Sequence, residues 1–220
     1  MTTALLGFAA ASTLVILAPG PDSMLVMRNT MRGGRRAGWV TACGTLSGLT
    51  IWALAAALGL SALLRVSQAG YDVLRFAGAA YLIWLGVTSL AHFRGRRPAE
   101  PAEAGRSAVP GLAGPRAVRP SRAYLNGLLS NLFNPKISVF FIAFLPAFIP
   151  AGVSTARFSL LLGLWFIAET GLWLAVVAWL AGRGVRWLRR PGVQRWIERV
   201  TGLVLIGFGL RLATESRRFA

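Results

Sequence analysis

The 220 residues are 55% hydrophobic and only 14% charged, against about a quarter charged in an ordinary soluble domain. Six membrane spans of about 20 residues use roughly 120 residues, which is what that apolar fraction supplies. A water-soluble domain is excluded, and the chain reads as an all-α polytopic membrane protein.

The net charge of +17, from 24 Lys+Arg against 7 Asp+Glu, would suggest nucleic acid in a soluble protein. Here the cations fall in short clusters between apolar runs and form no continuous basic face, so they read as topology signals and no nucleic-acid partner is expected. The single cysteine, Cys43, excludes an internal disulfide, a cysteine metal cage and a dithiol redox pair, and reads as a small packing residue. With one histidine, His92, no metal site is expected. There is no Gly-rich phosphate loop, no serine nucleophile elbow and no catalytic dyad at helical spacing, so neither an enzyme nor a cofactor is expected.

Stretches free of Asp, Glu, Lys and Arg run over 1–21, 37–64, 76–93, 137–156 and 200–210, and 158–182 is interrupted only by Glu169. Most reach the length of a spanning helix; the last does so only if Glu198, Arg199 and Arg211 snorkel from its ends. Residues 1–18 carry no charge, unlike the basic start of a cleavable signal, and so read as a retained first helix. Trp39, Trp179, Trp187 and Trp196 fall near the expected interfaces and read as an aromatic belt.

Seventeen arginines cluster over 28–36, 94–122 and 183–199, in alternate loops, which places those loops in the cytoplasm. The N-terminus is then outside; six spans put the C-terminus outside too, with Arg211, Arg217 and Arg218 against the rule, so either those charges are outvoted or span six does not cross. The Pro/Gly/Arg-rich segment 94–122 cannot bury a core and reads as a cytoplasmic linker between halves 1–93 and 123–220. Three spans per half put the halves in opposite orientations, the arithmetic of an inverted repeat.

Each half opens on a broken helix. Pro19-Gly20-Pro21-Asp22 interrupts the first span, because two prolines one residue apart remove two backbone donors. Asn134-Pro135-Lys136 interrupts the fourth, about twelve residues or roughly 18 Å of helix beyond Arg122. Broken helices expose N–H and C=O groups that a bilayer tolerates only around a polar cavity or ligand, and a matched pair points to a substrate site between repeats. The competing reading is a pair of packing kinks.

Lys136 is the only lysine among the 24 basic residues, and it lies deep in a span, where a compact ammonium on a flexible stem is useful; snorkelling to the cytoplasmic face is the alternative. Asp22 at the first break and Glu169 in the fifth span are intramembrane acids expected to face a cavity or a partner. Asp22 could instead cap the following helix, and Glu169 could pair with Lys136 or a loop arginine. Asn131 and Asn134 add amide donors and acceptors at the second break, with Asn126 nearer the headgroups. Gly44-x-x-x-Gly48 in the second span and Gly202, Gly207 and Gly209 in the sixth let helices approach closely; the first pair offers a face for a homodimer.

These residues resemble the LysE/RhtB family of amino-acid exporters over nearly the whole chain. The resemblance rests on APGPDSMLVMRNTMRGGRRAGW, LRFAGAAYLIWLG, NGLLSNLFNPKISVFFIAFLPAFI and RWIERVTGLVLIGFGLRLA. It implies an inner-membrane secondary carrier that exports amino acids or their derivatives by proton antiport. It also marks Pro19, Gly20, Pro21, Asn134, Pro135 and Lys136 as motif positions and supports a membrane-spanning sixth helix. Many members carry a polar or acidic residue after the second glycine of span two, where this chain has Leu49. The site expected for substrate or coupling ion is therefore Pro19, Gly20, Pro21, Asp22, Asn131, Asn134, Pro135, Lys136 and Glu169. Export of a metal cation or oxyanion on the same scaffold is the nearest rival, and a membrane-embedded enzyme a more distant one.

Overall fold

A computed structural model of the chain describes residues 2–17, 20–66, 68–95, 119–150, 152–183 and 191–214. Every regular element among them is helical: α1 Thr2–Leu17, α2 Pro21–Val66, α3 Gln68–Gly95, α4 Pro120–Leu132, α5 Pro135–Val139, α6 Thr155–Gly182 and α7 Pro191–Thr214. A π-helical turn, Phe140–Phe144, and a 3-10 turn, Leu145–Phe148, continue α5. Pro146 has no N–H to offer the Ile142 carbonyl, and the ladder changes register on either side of it.

Large apolar side chains point outward on the same helices that build the core: Leu6 on α1, Leu58 on α2 and Leu172 on α6 are each more than 70% exposed. A bilayer is the solvent such a surface requires. Among the described residues, Pro21–Gly59 and Thr155–Gly182 are long and apolar enough to cross a membrane alone. The pair Pro120–Leu132 and Pro135–Phe148, bent by 48°, passes the same test together, and Ala4–Leu17 and Gly202–Arg211 are shorter apolar helices.

Several boundaries differ from the sequence reading. α2 is two helices joined at Gly34, whose φ of 74° lies in the left-handed region. The whole reversal of direction needs this one residue, so the Arg28–Arg36 cluster rides on helix ends and not in a loop. The apolar run over 137–156 is not one span either: the helical path stops at Phe148, before Ile149 and Pro150. The linker expected over 94–122 loses residues at both ends, since α3 continues to Gly95 and α4 starts at Pro120, a residue favoured in the first turn.

α2 packs chiefly on α4 and α6, and α3 on α7. At the α2–α4 crossing a Cβ on Gly44 would lie 2.0 Å from the Tyr124 carbonyl oxygen, and one on Gly127 2.1 Å from that of Thr41. Gly48 meets Asn131 of the same helix α4. The Gly44-x-x-x-Gly48 face, offered to a second copy by the sequence reading, is thus used inside the chain, because α4 comes close enough only against backbone. Gly202 and Gly209 likewise let α7 approach the backbone of α3, whereas Gly207 has nothing within 4 Å of its missing Cβ. Cys43 is exposed and not a packing residue. It sits on the opposite side of α2 from that crossing.

The core is aromatic. Phe140 stacks within 5.8 Å of Phe8 on α1 and 4.6 Å of Phe166 on α6, and Phe144 lies 4.7 Å from Phe208 on α7. The segment after the second break is thereby wedged among three helices. Trp39, Trp179 and Trp196 are exposed, as interfacial anchors require; Trp187 and the His92 side chain lie outside the described residues.

Candidate functional site

The second break is forced by chemistry at residue 135. Proline cannot donate to the Asn131 carbonyl four residues back, and that oxygen instead accepts from the Asn134 N–H at 3.0 Å. α4 ends there, and Asn134 caps the next helix, its Oδ1 accepting from the Lys136 N–H at 3.1 Å. The Asn134 amide nitrogen is left pointing the other way, toward the first break.

Asp22, in the first turn of α2, receives it. Its carboxylate accepts from Asn134 Nδ2 at 3.1 Å, Asn131 Nδ2 at 3.0 Å and Ser130 Oγ at 2.8 Å. Asp22, Asn131 and Asn134 are all buried. The carboxylate therefore bridges to α4 and does not serve as a local helix cap. Three donors on one carboxylate are what keeps a charge tolerable away from water.

Lys136 makes the return contact. Its ammonium donates to the Val15 carbonyl at 3.1 Å, in the last turn of α1. Residue 19, four positions on, is a proline, so that carbonyl has no helical N–H to accept from. The lysine of the second break thus satisfies an oxygen orphaned by the first. Among sequence-predicted residues, Pro19 itself lies outside the described residues, Gly20 faces the cavity described below, and Pro21 and Pro135 open α2 and α5. Asn126 is exposed.

Between the two contacts lies a cavity of about 30 Å³ lined by Gly20, Asp22, Asn131, Lys136, Phe166 and Thr170, among others. It has room for about two water molecules. Trp173 braces one side by donating to Ser23 Oγ at 3.1 Å. Thr170 Oγ1, buried on that wall, has no hydrogen-bond partner.

Glu169 belongs to a different cluster. Among the described residues it pairs with neither Lys136 nor an arginine: its carboxyl group meets Ser12 Oγ, Thr13 Oγ1 at 3.1 Å and Trp165 Nε1 at 2.9 Å. Its place on α6 puts it on the α1–α6 contact, one residue along from Thr170 but outside the cavity lining. No group of three or more His, Cys, Asp or Glu side chains that could hold a metal occurs among the described residues.

Ser130, Val15, Thr170 and Ser12 escaped the sequence reading. Ser130 alone had a signal, since Ser130, Asn131 and Asn134 form a run of donors ending at the break. The other three are polar only through a backbone oxygen or a lone hydroxyl.

Curated relatives match end to end. A threonine efflux protein of Escherichia coli is 30% identical over 90% of this chain and 92% of its own length. A homoserine/homoserine lactone efflux protein of Salmonella typhi is 29% identical over 92% of each chain. An uncharacterized membrane protein of Pseudomonas aeruginosa is 32% identical over 92% of this chain and 91% of its own. No solved structure matches. The LysE type translocator family matches residues 13–216, which takes in both helix breaks, Asp22, Lys136 and Glu169. The chain belongs to that family: it is a multi-pass membrane transporter, not an enzyme.

Proposed function

We propose that the protein exports an amino acid or amino-acid derivative across the inner membrane, by alternating access in antiport with protons. The observation that carries this reading is the crossed contact at the two helix breaks, Asp22 to α4 and Lys136 to α1. The efflux activities by which the threonine and homoserine relatives are named agree with it.

A zwitterion carries its own copy of both contacts. Its carboxylate takes the Lys136 ammonium from the Val15 carbonyl, aided by the N–H groups freed beyond each proline. Its ammonium takes the released carbonyl and the Asp22 carboxylate. Binding therefore exchanges helix-to-helix bonds for helix-to-substrate bonds. The small cavity must open for this to happen, which makes occupancy and movement one event.

In this reading six spans form two inverted three-helix halves, 1–93 and 123–220, joined by the linker. Each half supplies, in order, a broken helix, a long helix and a further helix, with a positive-φ glycine after the broken one: Gly34 and Gly152. The resting clasp is then the seam along which the halves rock.

Counterflow of labelled amino acids in proteoliposomes tests the proposal. The unaltered protein exchanges at least one amino acid, and Lys136→Met loses that exchange while remaining inserted and monodisperse. Normal exchange by Lys136→Met removes the carboxylate role. Movement of another solute with no amino-acid exchange at all removes the substrate class.

A further inference from the structure

α6 turns Phe166, Thr170, Trp173 and Leu174 to the cavity, residues that share one face at helical spacing. Three are large and mainly apolar, and the one indole N–H among them is committed to Ser23. The hydroxyl of that wall is Thr170. It is 8% exposed, and its Oγ1 has no hydrogen-bond partner among the described residues.

A threonine inside a helix ordinarily satisfies its own hydroxyl. Thr30, Thr41, Thr45, Thr50 and Thr214 each donate to the carbonyl four residues back, and Thr88 to the one three back. Thr170 makes no such bond to the Phe166 carbonyl. A buried hydroxyl without a partner is costly, and one that forgoes an acceptor on its own helix calls for a reason.

The neighbouring polar groups of the cavity are already engaged. Asp22 accepts from three donors, Asn131 Nδ2 is one of them, Ser23 accepts from Trp173, and Lys136 donates to Val15. Asn131 Oδ1 also lacks a partner, but it is turned to α2, where a Cβ on Gly48 would lie 2.8 Å from it. The Thr170 hydroxyl is thus the uncommitted one on the α6 wall.

We infer that Thr170 is the specificity-determining residue of the transport site and that it hydrogen-bonds a hydroxyl group on a short, uncharged substrate side chain. The inference rests on the amino-acid export reading above and adds which part of the substrate α6 meets. In that reading the α-carboxylate lies at Lys136, and the α-ammonium lies at Asp22 and the Val15 carbonyl. Those groups belong to α5, α2 and α1, so the α6 wall is left for the side chain. Its apolar members suit an aliphatic stem, and Thr170 takes one polar group on it. Thr170 shares a single small cavity with Asp22 and Lys136, so the side chain that reaches it is short. A charged side chain finds no counter-charge on that face. Glu169, the residue before it, is held by Ser12, Thr13 and Trp165 outside the lining.

Such a wall discriminates in one direction. A hydroxylated side chain pairs with Thr170, whereas its methyl isostere leaves the buried hydroxyl unpaired, and the penalty falls on the isostere.

The test uses the full-length protein in proteoliposomes and counterflow of two labelled pairs, threonine against valine and homoserine against norvaline. Each pair exchanges a hydroxyl for a methyl group, on the β carbon in the first and the γ carbon in the second. The parent is expected to favour the hydroxylated member of at least one pair by at least about tenfold, Thr170→Val to bring that ratio within about threefold, and Thr170→Ser to keep it. A ratio unchanged in Thr170→Val, or a parent without preference in either pair, overturns the inference and leaves the export reading standing. A parent that exchanges no amino acid removes the export reading and the inference with it. Melting temperatures of the detergent-solubilised proteins give a second readout. Thr170→Val puts a methyl group in place of an unpaired hydroxyl, so its melting temperature is expected to equal or exceed the parent's. A clear fall means that the hydroxyl is bonded within the fold, and it overturns the inference.

Discussion

Asp22 and Lys136 each follow one of the paired prolines, Pro21 and Pro135, and each bonds the helix that ends at the other's break. Opposite charges thus occupy corresponding places and hold the two discontinuities together without bonding each other. Replacing either residue removes one arm of the clasp and leaves the other, so the two arms can be weighed separately.

Asp22→Ala withdraws the acceptor from three donors, two of them on buried asparagines. Each buried donor left unpaired costs about 1–3 kcal/mol, so a loss of about 3 kcal/mol or more in unfolding free energy is expected. Asp22→Asn, which can still accept from Asn131 and Asn134 through Oδ1 while Ser130 accepts from its Nδ2, is expected to lose about half as much. Thermal unfolding of detergent-solubilised variants measures the difference; equal losses would mean that the charge, and not the bonds, holds the break.

Lys136→Arg preserves the positive charge but replaces a compact ammonium with a planar fork. The 30 Å³ cavity has no room for it. Amino-acid counterflow is expected to fall at least about tenfold, with the protein still inserted. Full activity in the arginine variant would show that charge alone serves.

The α2–α4 crossing predicts a contrast between two glycines. In Gly127→Ala the new methyl group meets the Thr41 carbonyl at 2.1 Å, backbone against backbone, and overpacking of this kind costs about 1–3 kcal/mol. Gly207→Ala adds a methyl group where nothing lies within 4 Å and is expected to be neutral or slightly stabilising. Melting temperatures of the two variants test the helix pairing directly.

Gly34→Ala isolates a backbone effect. No atom lies within 4 Å of the added carbon, so any cost comes from the φ of 74°. About 1–3 kcal/mol is expected for a residue with a Cβ held at that φ with a ψ of −179°. Gly34→Asn should lose as much in the same melting experiment, because the accompanying ψ of −179° takes the residue out of the region that asparagine tolerates.

Both breaks were legible in the sequence because proline removes a donor regardless of context, and Lys136 stood out as a lone lysine among arginines. What those residues bond was not legible. Asp22 and Asn131 are joined across the packing of α2 on α4, and no local pattern encodes a contact between residues so far apart in the chain. Gly44 and Gly48 showed that helices would touch, but periodicity does not say whether the touching helix belongs to the same chain. Glu169 was visible as a charge in an apolar run, and its hydroxyl partners were hidden because Ser12 and Thr13 look like ordinary small residues of a membrane helix. Gly34 passed unnoticed inside a basic cluster, where composition suggested a loop and one glycine sufficed.

α1 contains no ionisable side chain. The transmembrane voltage, worth about 2.3 kcal/mol per elementary charge per 100 mV, therefore exerts no direct force on it. The handles on either side of its final turns, the Ser12 hydroxyl and the Val15 carbonyl, lie three residues apart, or about 4.5 Å along the axis. A change at Glu169, which meets Ser12, and a change at Lys136, which meets Val15, act on the same stretch of backbone. The charged groups that meet α1, Glu169 and Lys136, belong to other helices, so an electrical force reaches it through its neighbours.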